Sequence, residues 1–414
     1  MIRLYILTFI FFILLSLPVL SQEKLKIKTE VSKDSLETLS NGKINFRDDI
    51  RIISDNGNIF FISRQKNEKF NWHIYNPYSK KIINEGDCPF KDLNSLSLAV
   101  SPNGFCVFVY SYSYNEPYGV VWFLDVKNKK WETAYKNSKY SQNASDSKPY
   151  LDSSFKQFTF VNDRTAYAVA EVRNRSENTK EDTQVVAFTA SPLKMRKVFS
   201  FKDLEKEINA SIAKEKKQES FFKIDPDSII LRENDLFLFK VIDTKKLNTK
   251  YSYSELYRFS KGACQKLTSE ETLITPLDLN EEKILYGVEH PKNYNIYMIQ
   301  GGNKTLVLDV PVMRQGCSVA GSFLKDGKIC IHKLNYGGEE TETSFQLTKN
   351  GLKENLPRRV YFSNVLENFL GKPEHMKQII SPPLFNQFYL FFIKETNTIV
   401  TYSWDKIIYY ELFD

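Results

Sequence analysis

The chain has 414 residues, 42% hydrophobic, 26% charged and 14% aromatic, with a formal net charge of +7. This balance excludes a disordered chain, a collagen-like chain and a multi-pass membrane protein. The length allows two or three ordinary domains or one large repeat architecture. Four histidines leave little material for a His-based metal or acid–base centre. Lysines and acids are interleaved, as in Glu205-Lys206-Glu207 and Lys214-Glu215-Lys216-Lys217, where a nucleic-acid site needs a concentrated basic stripe. No nucleic-acid partner is expected.

The first segment reads as an address. Arg3 gives a short positive start, and Leu4 to Leu20 is apolar except for Thr8 and Ser16. Pro18 breaks the run, and Val19-Leu20-Ser21 precedes Gln22, the layout of a secretory signal over residues 1–21 cleaved near Ser21–Gln22. An uncleaved anchor is the competing reading, since about 17 apolar residues is near the lower limit for a span. Pro18 and the polar run from Gln22 favour cleavage, which places the chain in the periplasm or outside the cell with no transmembrane segment left. No cysteine ends the apolar run, so a lipid anchor is not expected. Residues 22–46 then form an arm or a closing strand, and residues 47–414 the main domain.

A short theme recurs along that domain: a small strand, a turn of Asp, Asn or Gly, then a strongly apolar strand. It appears as Ser54-Asp55-Asn56-Gly57 before Asn58 to Ile62, and as Ser101-Pro102-Asn103-Gly104 before Phe105 to Val109. Weaker copies begin near Val161, Arg232, Asn280, Lys325 and Phe385, so the starts are spaced by 47, 60, 71, 48, 45 and 60 residues. Asn-Gly and Asp-Gly supply the positive φ that tight hairpins need. Two more strand-like runs follow the turn in several copies, as in Val120 to Asp125 with Trp131 to Ala134, Glu255 to Phe259 with Cys264 to Thr268, and Tyr294 to Ile299 with Thr305 to Leu308. Four strands per unit of roughly 40–50 residues is the blade of a β-propeller. The fold expected is all-β, a seven-bladed β-propeller with short helical insertions on one face. Six or eight blades stay open, because the longest gap has room for a degenerate copy.

Ser101-Pro102-Asn103-Gly104 followed by Val121-Trp122-Phe123-Leu124-Asp125-Val126 resembles the Ser-Pro-Asp-Gly and Leu-Tyr-x-x-Asp repeat of TolB-type (WD-repeat-like) propellers. Leu256-Tyr257-Arg258-Phe259 with Gly262 and Lys266-Leu267-Thr268 is similar to the second half of that repeat. The resemblance covers three blades well and the others loosely. It implies the fold and little about activity, since such propellers serve as adaptors, periplasmic scaffolds and gating modules.

The long gaps hold insertions. Phe201, Leu204, Ile208 and Ile212 fall at helical spacing. Phe362, Val365, Leu366, Phe369 and Leu370 form a second apolar stripe stopped by Gly371 and Pro373. Lys136 to Ser154 reads as a loop. All three occupy the connection from one blade to the next, which opens on the face that carries the middle hairpin loops. Insertions in repeat folds cluster on the binding face.

The same middle loops are rich in tyrosine, and Tyr112, Tyr114, Tyr118, Tyr251, Tyr253 and Tyr336 are the ligand-binding candidates. Tyrosine offers an apolar ring with a hydroxyl handle, suited to protein or sugar contacts. Half-exposed strand ends are the plainer reading of each ring alone.

Catalytic patterns are missing. Gly316-Cys317-Ser318-Val319-Ala320-Gly321 approaches a nucleophile elbow but fails at its last position and precedes a strand. Glu339, Glu340 and Glu342, and Asp225 with Asp227, could approach a hard cation but have no calcium-loop pattern, so solvated loop charge is favoured. His73, His290, His332 and His375 are dispersed. No cofactor, metal or catalytic residue is expected. Cys88, Cys106, Cys264, Cys317 and Cys330 show no C-x-x-C spacing. A turn at Leu324 to Gly327 would set Cys330 opposite Gly321 and Cys317 opposite Leu334, too far apart for a disulfide.

The function expected is a non-catalytic ligand- or protein-binding scaffold of the cell envelope, its partner an envelope or extracellular protein or a glycan. A carbohydrate-binding or glycan-active enzyme on the same face is the alternative, since two carboxylates from different blades would suffice.

Overall fold

The computed structural model describes residues 26–45, 49–53, 55–90, 95–112, 119–136, 150–173, 180–216, 221–244, 253–290, 293–311, 317–323, 328–335, 340–348, 351–354, 390–393, 398–402 and 406–411. The N-terminal segment 1–21 read as a signal, the apolar stripe at Phe362 to Leu370 and the last repeat turn at Phe385 lie outside them.

The described strands form antiparallel sheets of the four-stranded kind found in propeller blades. In the first sheet the strands run Ile50–Ile52, Ile59–Gln65, Phe70–Asn76 and Lys81–Asp87, each paired with the next, with Gly42–Lys43 added at one end. The second sheet is Ser95–Val100, Cys106–Tyr112, Val120–Asp125 and Lys130–Lys136. The third is Tyr150–Phe160, Thr165–Arg173, Lys180–Ala190 and Leu193–Ser200. The fourth is Phe222–Arg232, Leu236–Asp243, Ser254–Ser260 and Ala263–Glu270, and the fifth Ile274–Leu279, Lys283–Glu289, Asn293–Gln300 and Asn303–Pro311. The sixth is Cys317–Phe323, Lys328–Asn335, Glu340–Thr348 and Gly351–Glu354. In the last sheet Leu390–Ile393, Thr398–Tyr402 and Lys406–Glu411 come from the C-terminal end, and the outer strand is Lys26–Ser32. Val31 stands opposite Ile407 in that final pairing. The strand Lys406–Glu411 is therefore not the outermost of its sheet; Lys26–Ser32 lies beyond it.

The continuous apolar runs of the second strands follow from burial on both faces. In the first sheet Ile59 and Phe61 join Val31, Val400, Ile407 and Tyr409 of the last sheet in one cluster. Phe60 and Ile62, the alternate residues, join Leu98, Val107, Val109 and Leu124 of the second sheet in another. Phe108 and Tyr110 then face Ala166, Ala168 and Ala170 of the third. Tyr167 and Val169 face Phe237, Phe239 and Val241 of the fourth. Leu236 and Leu238 face Ile284, Tyr286 and Val288 of the fifth. The period of two along these strands thus joins the last, first, second, third, fourth and fifth sheets in series, and each such buried Val, Leu or Phe side chain stabilises by roughly 1.5–3 kcal/mol. Outer strands are different: Lys81–Asp87 alternates exposed and half-buried.

Hydrogen bonds pass from sheet to sheet along the repeat turns. Asp55 N–H donates to Pro102 O at 3.0 Å, Asn103 N–H to Asp163 Oδ1 at 3.1 Å, and Tyr167 O–H to Asp235 Oδ1 at 2.6 Å. Arg232 bonds Asp278, whose other oxygen accepts from Phe323 N–H at 2.7 Å. Tyr409 O–H reaches Gly57 O at 2.7 Å, tying the last sheet to the first. Gly104 is held at φ +77°, and a Cβ there would lie 2.7 Å from Ile53 Cδ1, so the Asn-Gly turn serves both its own geometry and the approach of the next sheet.

Strand direction alternates within each sheet. The connection from an outer strand to the next inner strand therefore leaves at the same end as the second-to-third hairpin loop. The first-to-second and third-to-fourth turns lie at the other end. Both described helices, α1 (Lys33–Ser40) and α2 (Phe201–Lys216), occupy outer-to-inner connections. The former is called the helix end below and the latter the turn end. Two local expectations need correction. Tyr150–Phe160 is a strand, so the loop expected as far as Ser154 gives way to strand at Tyr150; its pairing slips between Leu151 and Phe155, which hides the alternation. In the sixth sheet Cys317 pairs with Asn335 and Cys330 with Ser322, one residue away from the register expected; the two cysteines still do not face each other.

Candidate functional site

The helix end is built by α1, between the last and first sheets, and α2, between the third and fourth. Helix α2 starts because Ser200 Oγ accepts from Asp203 N–H at 3.2 Å while itself donating to Asp182 Oδ2 at 2.6 Å. Asp182 Oδ1 accepts from Lys202 N–H at 3.0 Å, placing a carboxylate at the helix N-terminus. Phe201, Leu204, Ile208 and Ile212 are buried in the cluster between the third and fourth sheets, as their spacing predicts. Two polar residues fix where the helix lies. Asn209 Nδ2 donates to Phe222 O at 2.9 Å and its Oδ1 accepts from Phe222 N–H at 2.8 Å. Glu205 Oε1 accepts from Ile224 N–H at 2.8 Å. The helix thus takes the place of a further strand along the free edge of the fourth sheet's inner strand. Burial pushes the Glu205 carboxyl up, against the Ile224 N–H that favours its charge.

Helix α1 is capped by Ser32, whose Oγ accepts from Ser35 N–H at 3.2 Å, and ends at Asn41 with φ 51°. Leu36 is buried beneath it, and Leu39 is 47% exposed above it. Below its last residue runs a relay. Gln65 Nε2 donates to Ser40 O at 3.1 Å and to Ser63 Oγ at 2.9 Å. Ser63 Oγ lies 2.8 Å from His73 Nε2, and His73 Nδ1 lies 3.1 Å from Glu85 Oε2. With Gln65 donating into it, Ser63 O–H is directed to Nε2, and Nδ1–H to the carboxylate. The order is that of a nucleophile relay, yet Ser63 is wholly buried and His73 is 2% exposed. The arrangement braces three strands against α1. Burial lowers the His73 pKa and the Glu85 carboxylate partly restores it. The second sheet repeats the brace with a different ring: Trp122 Nε1 donates to Ser111 Oγ at 3.0 Å.

Of the tyrosine candidates, Tyr112 ends the second sheet's second strand opposite Ser95. Tyr114, Tyr118, Tyr251 and Tyr336 lie outside the described residues. Tyr253 is half-buried, packs edge-on against Phe222 and donates from its hydroxyl to Glu255 Oε1 at 2.8 Å. Glu255 is wholly buried and also accepts from Tyr257 O–H at 2.7 Å and Lys266 Nζ at 2.8 Å. Burial, then the hydrogen bond to that carboxylate, pushes the Tyr257 phenol well up. Tyr253 faces inward to this cluster with its hydroxyl already bonded.

Of the acids considered for a cation, Glu339 lies outside the described residues, and Asp225 has other partners. Asp225 sits where the fourth sheet's inner strand slips register between Ile224 and Ile229. It accepts from Lys240 Nζ at 3.0 Å, Ser228 Oγ at 2.8 Å and Asp227 N–H at 3.1 Å. Burial raises its carboxyl, but Lys240 and the hydrogen bonds outweigh it and hold the pKa low. This is a strand bulge closed by an ion pair, where sequence suggested a solvated loop. Among the described residues, no group of three or more His, Cys, Asp and Glu is placed to hold a metal ion, and no helix is long and apolar enough to cross a membrane. Cys88, Cys106 and Cys264 are free thiols. Burial, then neighbouring carboxylates, raises Cys106 to about 11, and burial, then Glu207, raises Cys264 to about 12.

Sequence reasoning missed Leu39 and Phe221, the large apolar side chains exposed at the helix end, the latter at 42%. An apolar residue outside the helical stripe was the available signal for both.

No family model matches the chain, and no curated protein matches it. Among solved structures it is similar to the β-propeller domain of the Trilobed protease from Pyrococcus furiosus, at 13% identity over 76% of this chain and 83% of that one, with a TM-score of 0.45. It is similar to an oligogalacturonate lyase in complex with manganese, at 8% identity over 90% and 89% of the two chains, with a TM-score of 0.47. It is also similar to TolB from Acinetobacter baumannii, at 10% identity over 78% and 67%, with a TM-score of 0.33. The propeller assignment rests on the sheet topology, the shared clusters and the pairing of the two chain ends.

Proposed function

We propose that this chain is an exported, seven-bladed, TolB-like propeller that acts in the periplasm or outside the cell as a binding or scaffold protein, through its helix end. One observation carries this reading: α1 and α2, built from segments far apart in sequence, both elaborate outer-to-inner connections, while the opposite turns stay short. A repeat fold puts its individual features where a partner is met. An envelope or extracellular protein suits this end better than a glycan. Its exposed large side chains are the apolar Leu39 and Phe221, whereas the hydroxyl of Tyr253 is already bonded to Glu255.

Affinity capture from the envelope of the exporting cell tests the reading, comparing the wild type with Phe221→Asp and Ala210→Glu, which change exposed positions. The expected result is a discrete protein partner whose recovery falls about tenfold in the variants, the loss of a hot-spot contact. Equal recovery by all three proteins would contradict it. So would turnover of an oligosaccharide, which would move the site to the glycan-active alternative.

A further inference from the structure

The turn end carries a separate surface. The last sheet's outer strand begins there at Lys26, five residues beyond the apolar run that ends at Leu20. Residues 21–25 span at most about 17 Å when fully extended. Until the run is cleaved near Ser21–Gln22 this edge of the ring is held close to the lipid surface, and after cleavage any docking rests on the side chains of the edge itself.

The neighbouring side chains suit such a surface. Lys28 Nζ stands 5.1 Å from the ring centre of Tyr78, which lies on the first sheet's third-to-fourth turn and is 38% exposed. Lys80 is exposed on the same turn. Asn84 Nδ2 donates to Val126 O at 3.4 Å, joining the first sheet to the second sheet's corresponding turn, where Lys127 and Lys129 are exposed. Val126 N–H donates to Phe105 O at 3.0 Å, and Phe105 is 58% exposed. These residues are distant in sequence and adjoin through the packing of the last sheet on the first and the first on the second. Lys80 and Lys129 adopt φ 54° and 53°, a conformation glycine takes at lower cost, so the turns keep lysine against the backbone preference. The carboxylates of this sector are engaged or set inward. Asp125 accepts from Asn128 at 2.8 and 3.0 Å, Glu132 pairs with Lys130 at 3.1 Å, Glu30 pairs with Lys406 at 2.9 Å, and Asp55 is on the inner turn.

We propose that this edge, with Lys28, Lys80, Lys127 and Lys129 around Tyr78 and Phe105, docks on an anionic phospholipid bilayer. Lysines at a lipid surface are attracted by acidic headgroups, and exposed aromatic rings settle at the headgroup boundary. The helix end then points away from the lipid. The surface is distinct from the helix end, and its test does not depend on any partner there.

The test is co-sedimentation of the full chain with phosphatidylcholine vesicles, with and without about 30% phosphatidylglycerol, at about 0.1 M salt. The ratio of anionic to neutral binding removes any contribution of the apolar segment. Replacing Lys28, Lys80, Lys127 and Lys129 by Gln is expected to lower the ratio about tenfold or more. Replacing Lys43, Lys202, Lys206 and Lys214 at the helix end by Gln is expected to leave it unchanged. Lys80→Gly with Lys129→Gly relaxes both turns, so a lower ratio in that variant cannot come from misfolding. Equal loss in the two quadruple variants would overturn the proposal. So would a wild-type ratio near one, or competition by soluble polygalacturonate as effective as by vesicles of equal charge.

Discussion

A serine, a histidine and a glutamate in hydrogen-bonded series are usually read as chemistry, and here burial decides otherwise. Ser63 already accepts from Gln65, and Gln65 in turn holds Ser40 at the end of α1. The relay makes stability depend on pH. Burial lowers the folded pKa of His73, so the unfolded chain binds a proton first on acidification. Stability is fully present above the unfolded value of about 6.5 and is lost as pH falls from there through the folded value. Thermal melts at about pH 7.5 and 5.5 should show a larger acid loss in the wild type than in His73→Phe, which cannot titrate. Equal losses would place the pH dependence elsewhere. Glu255 gives a second case. Lys266→Met leaves its buried carboxylate with only tyrosine donors and should cost about 3 kcal/mol in urea unfolding. Glu255→Gln removes the buried charge while keeping an acceptor for Tyr253 and Tyr257, and should cost less. None of these networks could be read from the sequence. Ser63, His73 and Glu85 are 10 and 12 residues apart, and only strand register brings them together.

Elements were legible where one period dominates. The second strands show unbroken apolar runs because both faces are buried, and α2 shows its stripe because four residues reach the core on one side. Helix α1 was not legible: its Lys33–Ser40 run holds only Leu36 and Leu39 as apolar residues, too few to set a period. Its cap at Ser32 and left-handed end at Asn41 define it instead. The start of Tyr150–Phe160 was masked by a register slip, a local cost of bulges in inner strands. The importance of Asn209 was also hidden, since a polar residue on a helix usually faces water. Asn209→Ala should strip both bonds from Phe222 and cost about 1–2 kcal/mol. Hydrogen exchange should speed up at the Phe222 amide while the Ile284 amide of the fifth sheet stays protected. A uniform change across both sheets would contradict a local role for α2.

The molecule holds together because the last sheet and the first to fifth share buried clusters with their neighbours, and because Lys26–Ser32 pairs with Lys406–Glu411 in one sheet. Val31 and Ile407 face each other across that closure and are both buried. Opposed antiparallel residues have Cα atoms roughly 4.5–5.5 Å apart, within disulfide range. Val31→Cys with Ile407→Cys should therefore form a bridge under oxidation and raise the melting temperature, whereas Val31→Asp should open the last sheet. The repeat count and turn chemistry suggested a ring and left residues 22–46 as an arm or a closing strand, but the register of Lys26–Ser32 on Lys406–Glu411 is a long-range pairing that no local pattern encodes. The lysine edge escaped notice as well, since Lys28, Lys80 and Lys127 lie on separate strands and turns that only the packing of neighbouring sheets brings together. On the function proposed above, the helix end is where a partner is met. Site-specific photocrosslinking in the exporting cell tests this most directly, with the reactive group at Lys206 on α2 or at Lys129 on the turn end. The account predicts a discrete protein adduct from position 206 and none of that mass from position 129. The same adduct from both positions, or from position 129 alone, would contradict it.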